Sequence, residues 1–137
     1  MEIRHLSELI VEFFEKLSSW EESVVRDSGL TTAQAHAVEI LGHSGPVKMK
    51  ELAQKIGVTT GTLTVAVDRL EKKNLMRRKP HATDRRSILI ELTPQGEQVF
   101  KEHNNFHLRM TQELVADLSA EDLETFTRIL KTMLTKI

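Results

Sequence analysis

With 137 residues, 39% hydrophobic and 28% charged, the chain has the length and balance of one globular domain, which excludes a disordered or membrane composition. It holds no cysteine, which excludes disulfides, thiolate metal sites and cysteine redox chemistry and suits a cytoplasmic protein. The net charge of −1 is unevenly spread: residues 1–30 carry seven acidic side chains against three basic, and residues 69–86 eight basic against two acidic, a footprint for a polyanion.

The start, Met1-Glu2-Ile3-Arg4-His5, lacks the basic and apolar pattern of a signal peptide, and no apolar run is long enough for a bilayer. Ile3, Leu6, Ile10, Phe13, Leu17, Trp20 and Val24 recur at spacings of three and four. That is the a/d seam of a long helix that packs on other helices, and Ser28-Gly29 breaks it. Thr31 with Gln34 three residues on predicts a capping box for a second helix, with Ala33, Ala37, Ile40 and Leu41 on its apolar face and Gly45-Pro46 at its end.

Lys48 to Lys55 reads as a short helix with Met49, Leu52, Ala53 and Ile56 inward, closed by Gly57 at a position that needs positive φ. The next helix starts at Thr59, buries Leu63, Val67 and Leu70, and closes at Asn74, which tolerates the left-handed conformation. Leu75–Lys79 and Ser87–Leu92 read as two strands of a hairpin. The link from Pro80 to Arg86 is charged and begins with a proline expected to block pairing. Thr93-Pro94 starts a helix carrying Val99, Phe106, Met110, Leu114 and Leu118, and Ser119 starts a last helix whose Leu123, Phe126, Leu130, Met133 and Ile137 again follow a heptad.

Two short helices joined by a tight turn are the helix-turn-helix pattern. Ala53 is small where the helices cross, Gly57 allows the turn, and Leu63 locks the second helix onto the first. That second helix then reads DNA: Thr59, Thr60, Thr62 and Thr64 offer hydroxyls and methyls to base edges or phosphates, with Thr59 also the natural cap. Lys48, Lys50, Arg69, Lys73 and Arg77 are the candidate phosphate contacts. At the hairpin tip, Asp84-Arg85-Arg86 suits a minor groove, with Asp84 expected to hold one guanidinium in a bidentate pair.

The motifs Leu30-Thr31 with Gln34, Glu51-Leu52-Ala53, Gly57-Val58-Thr59, Leu63-Thr64, Asp68 to Lys73, Asp84-Arg85-Arg86 and Leu92-Thr93-Pro94-Gln95-Gly96 resemble the MarR family of multiple-antibiotic-resistance regulators. The resemblance implies a mainly α fold with a small β-hairpin wing: a winged helix-turn-helix in residues 31–93, flanked by dimerisation helices in 1–30 and 94–137, all in one continuous domain. It further implies a homodimer, a near-palindromic DNA operator, repressor activity and no catalysis. Asp84 and Arg86 match the family's wing pair, with Arg86 the minor-groove residue. Asn74 stands where the family usually has glycine, and Pro80-His81 departs from the family's wing.

The effector stays open between three readings. His103 and His107 are four apart on one helix face, a spacing that grips a metal ion. With His36 they match the family's zinc-sensing branch, in which Glu21 or Glu22 would complete a single site. The run Val58-Thr59-Thr60-Gly61-Thr62 and the run His103 to His107 also resemble the fatty-acid-synthesis repressor branch, which senses acyl chains on acyl carrier protein. In that case Phe13, Phe14, Trp20, His36, Phe106 and Met110 would line a pocket for the acyl chain or another small molecule; the same apolar residues serve equally as core. The third reading has no small ligand. As a rival class, a winged-helix adaptor that binds protein fits the modest net charge, whereas an enzyme lacks a visible base or nucleophile.

Overall fold

A computed structural model describes residues 2–137. It divides into two compact units, one ending at Asn104 and one spanning Asn105–Ile137. The first holds α1 (Ile3–Ser28), α2 (Thr32–Ser44), β1 (Val47–Lys48), α3 (Met49–Ile56), α4 (Thr60–Lys72), β2 (Met76–Pro80), β3 (Ile88–Leu92) and the start of α5 (Pro94–Leu114). The second holds the rest of α5 and α6 (Ala120–Leu134). Among the described residues no helix is long and apolar enough to cross a membrane.

Helix α1 ends where Gly29 takes φ 76° and returns its N–H to the Arg26 carbonyl. Helix α2 starts with the full capping box. The Gln34 amide donates to Thr31 Oγ1 at 3.2 Å, and the Thr31 amide to Gln34 Oε1 at 3.1 Å. Its other end passes so close to α5 that a Cβ on Gly42 would overlap the Phe100 ring.

The sheet has the order β1-β3-β2, all antiparallel. Strand β1 is only two residues long, Val47 facing Ile90 and Lys48 facing Leu89. Two residues cannot display an alternation, so the period that revealed β3 could not reveal β1. Strand β2 runs one residue further than expected. Pro80 lies opposite Ile88, and the first bond past it, from the His81 amide to the Ser87 carbonyl, is made by a residue that has a donor. The core joins this sheet to α2, α3 and α4 through Leu41, Leu52, Leu63, Val67, Leu70, Met76 and Ile90.

A polar knot closes this unit. Asn74 leaves α4 at φ 58°, and its side-chain Nδ2 donates to Gln95 Oε1 at 3.1 Å. The Thr93 amide donates to the Leu75 carbonyl at 3.1 Å, while its hydroxyl caps α5 by accepting from the Gly96 amide at 3.0 Å. In the second unit, Ser119 caps α6 by accepting from the Asp122 amide at 3.0 Å. No residue of α6 is buried.

Candidate nucleic-acid interface

The turn between α3 and α4 depends on Gly57, at φ 83°. Its amide and that of Val58 both donate to the Ala53 carbonyl, at 2.9 and 3.1 Å, which stops α3 and turns the chain. Leu63, Val67 and Leu70 are at most 1% exposed and pin one face of α4 to the core. The rest of the helix surface is open to solvent, where Thr60, Gly61, Thr62 and Arg69 are all exposed.

The threonines divide by their hydrogen bonds. Thr59 Oγ1 accepts from the Thr62 amide at 3.1 Å and donates to Thr62 Oγ1 at 2.9 Å. Thr64 is half-buried, and its hydroxyl donates back to the Thr60 carbonyl at 2.8 Å. Its proton is therefore spent inside the helix. Thr60 and Thr62 are the two that present themselves to a ligand.

The cations divide in the same way. Lys50 and Arg69 are exposed, and Lys48 is half-buried at the start of α3. Lys73 bonds to its own fold: its ammonium donates to the Gly29 carbonyl at 3.2 Å, at the end of α1. Arg77 faces Glu91 across the hairpin and donates to it at 2.6 Å, with the Lys79 ammonium 3.6 Å from the same carboxylate. These pairs hold Glu91 below its ordinary titration range, Arg77 contributing most. Arg78 is tied twice, to Asp68 at 2.7 Å and to Glu71, both on α4. Sequence periodicity gives no sign of such pairs, because the acids lie on neighbouring elements.

At the wing tip, Asp84 makes no bidentate pair with an arginine. Its carboxylate accepts from the Arg86 amide at 3.0 Å and the Ser87 hydroxyl at 2.6 Å, so it shapes the turn instead. Those bonds, Ser87 first, lower its pKa, with smaller pulls from Lys48 and His81. On the other side of the tip, His81 Nδ1 accepts from the Asp84 amide at 3.0 Å and the Thr83 amide at 3.2 Å. The Arg85 and Arg86 guanidinium groups are exposed and make no ion pair among the described residues. The tip is thus a braced turn with two free cations on it.

Of the residues singled out as metal ligands, the first unit brings Glu21 and His103 together, at 2.9 Å. Glu39 of α2 joins them, 4.0 Å from His103, and the ligand atoms of these three lie within 4.8 Å of one another. His36 stands outside the group, because it sits nearly a turn earlier on α2 and faces solvent. Glu22 is exposed as well. His107 follows His103 along α5 and belongs to the second unit. The residues proposed to line a pocket sit as follows: Phe13 and Phe14 are exposed on α1, Trp20 is half-buried, Phe106 is exposed and Met110 half-buried. The Arg109 guanidinium lies over the Phe106 ring, 5.9 Å from its centroid.

The sequence pattern of the MarR family matches residues 30–88. The chain is 31% identical over 107 residues to the HTH-type transcriptional regulator MhqR of Bacillus subtilis (strain 168), covering 78% of this chain and 74% of that one. It is 34% identical over 89 residues to the HTH-type transcriptional repressor MdtR of the same organism, covering 65% and 57%. Its fold matches that of Streptococcus pneumoniae FabT, solved in complex with DNA, with a TM-score of 0.85 at 22% identity over 98% of this chain and 96% of that one.

Proposed function

The chain belongs to the MarR family of transcriptional regulators, and from that premise we propose that it is a homodimeric repressor whose α4 enters the major groove and whose Arg86 enters the minor groove. As a member of that family it is a DNA-binding regulator and not an enzyme. The observation that carries the finer reading is the double tie of Arg78, which fastens the wing strand β2 to α4. Exposed Thr60 and Thr62 thereby keep a fixed relation to the hairpin that carries Arg85 and Arg86. In this reading the threonines touch base edges, the tip arginines follow the minor groove, and Lys48, Lys50 and Arg69 meet phosphates.

Dimerisation accounts for the bare apolar residues at both ends of the chain. On α1, Ile3 is 80% and Phe13 51% exposed; on α6, Phe126 is 47% exposed. A monomer rarely leaves such stripes in water, and a two-fold partner would cover them. Repression is supported by its relative MdtR, which is a transcriptional repressor.

The test is selection of duplexes from a random-sequence pool, followed by gel shifts and a mass measurement in solution. The expected result is a near-palindromic duplex bound by a particle of twice 15.6 kDa, with an affinity that falls steeply with salt. A monomer that enriches no duplex would favour the protein-binding adaptor.

The effector reading that an observation favours is a divalent ion such as zinc. One imidazole and two carboxylates, from α5, α1 and α2, form a donor set that suits it. Glu21, Glu39 and His103 would hold the ion, which would cross-link three helices of one unit. Elemental analysis is expected to find zinc in the wild type and in His36→Ala, and to lose it in Glu39→Gln. Equal zinc content in the wild type and Glu39→Gln would overturn the assignment.

A further inference from the structure

Helix α4 carries a side chain for which its own fold gives no reason. Val65 is 52% exposed, although Leu63, Ala66, Val67 and Leu70 around it are buried. A β-branched residue loses rotamer freedom in a helix, and here burial of only about half the residue offsets the loss. Its neighbour one turn back, Gly61, is equally unexplained from within. Gly61 lies inside the helix, and a Cβ built on it would meet only the Thr59 hydroxyl oxygen, at 4.0 Å. Glycine weakens a helix, so the fold alone would favour alanine there.

Gly61 and Val65 are four apart and therefore share one face, with exposed Thr62 and Arg69 alongside. This is the middle of the face that the DNA-binding reading lays in the major groove. The one apolar group that B-DNA offers in that groove is the C5 methyl of thymine. The geometry points to Val65 as a sequence-reading residue that packs against a thymine methyl in each half-site, with Gly61 leaving room for the base edge to approach the helix. The inference rests on the DNA-binding reading and adds a base preference to it. Thr60 and Thr62 can satisfy polar edges of more than one base, whereas a valine distinguishes a methyl from its absence.

The test uses a duplex selected from a random-sequence pool by the wild-type protein. The same duplex is then made with deoxyuridine in place of thymine, one position at a time, which removes the methyl and nothing else. At one position per half-site the wild type is expected to lose about fourfold in affinity, the worth of one buried carbon. Val65→Ala is expected to bind the original duplex more weakly by a similar factor and to be indifferent to uridine at that position. Because Val65 is exposed and alanine is the better helix former, that variant should melt no lower than the wild type, which a thermal scan checks. If uridine is neutral for the wild type everywhere, or if Val65→Ala remains as sensitive as the wild type, the proposal falls while the regulator reading stands. If no duplex is enriched at all, both fall together.

Discussion

Thr93 gives its hydroxyl hydrogen to the carbonyl of Asn74, at 2.6 Å, across the junction where α4 ends and α5 begins. The same hydroxyl oxygen accepts from the Gly96 amide, so one nearly buried atom closes both helices. Thr93→Val keeps the shape and removes both bonds, and leaves a carbonyl and an amide to find other partners. A loss of about 1–3 kcal/mol is expected, read by urea unfolding. A change well under that would mean that water replaces the hydroxyl.

Gly96 sits where a Cβ would overlap the carbonyl oxygen of Leu75. The obstacle is backbone, which cannot rotate aside as a side chain can. Gly96→Ala is therefore expected to cost about 1–3 kcal/mol, the usual scale for overpacking. Gly61→Ala, in open space on α4, is expected to gain about 0.5–1 kcal/mol of stability. Thermal unfolding of the two variants in parallel would show opposite signs, and equal signs would contradict the packing.

Arg86→Ala is expected to weaken specific DNA binding by about 1–3 kcal/mol, because its guanidinium is exposed and makes no ion pair among the described residues. Arg77→Ala is expected to weaken it less, since Arg77 already donates to Glu91. Gel shifts on a selected duplex would rank them. The reverse order would move the DNA contact from the tip to the strand.

Glu91 is held below its ordinary range, chiefly by the hydrogen bond from Arg77. A carboxylate whose pKa is lowered on folding stabilises the fold above its unfolded value, and that contribution is lost as the pH falls through the lowered one. Stability is therefore expected to drop on the acid side of the ordinary glutamate range, and Glu91→Gln to flatten that part of the curve. Chemical unfolding at a series of acid pH values would check it; a variant curve parallel to the wild type would remove Glu91 from the account.

Features set by neighbours along the chain were legible in the sequence. The Thr31–Gln34 capping box, the stop at Gly57 and the left-handed Asn74 all follow from local stereochemistry. Features set across the chain were not. Arg77, Arg78 and Lys73 look like spare positive charge until Glu91, Asp68, Glu71 and the Gly29 carbonyl are found beside them. Glu39, rather than His36, reaches His103 because the rotation of α2 about its own axis is fixed by what its alanines bury, and no spacing rule supplies that angle. Asp84 was expected to grip a guanidinium, yet the amide of Arg86 and the hydroxyl of Ser87 are nearer in sequence and cheaper to order.

The double tie of Arg78 has a mechanical consequence. With β2 tied to α4 through two carboxylates, the proposed reading helix and wing of one chain would act as a calliper whose jaw width is preset. An effector of the kind proposed, bound elsewhere, would have little leverage to retune that width. What it would alter in the proposed dimer is the separation of one calliper from its twin, so the signal would be written in the spacing between half-sites and leave the letters each head reads untouched.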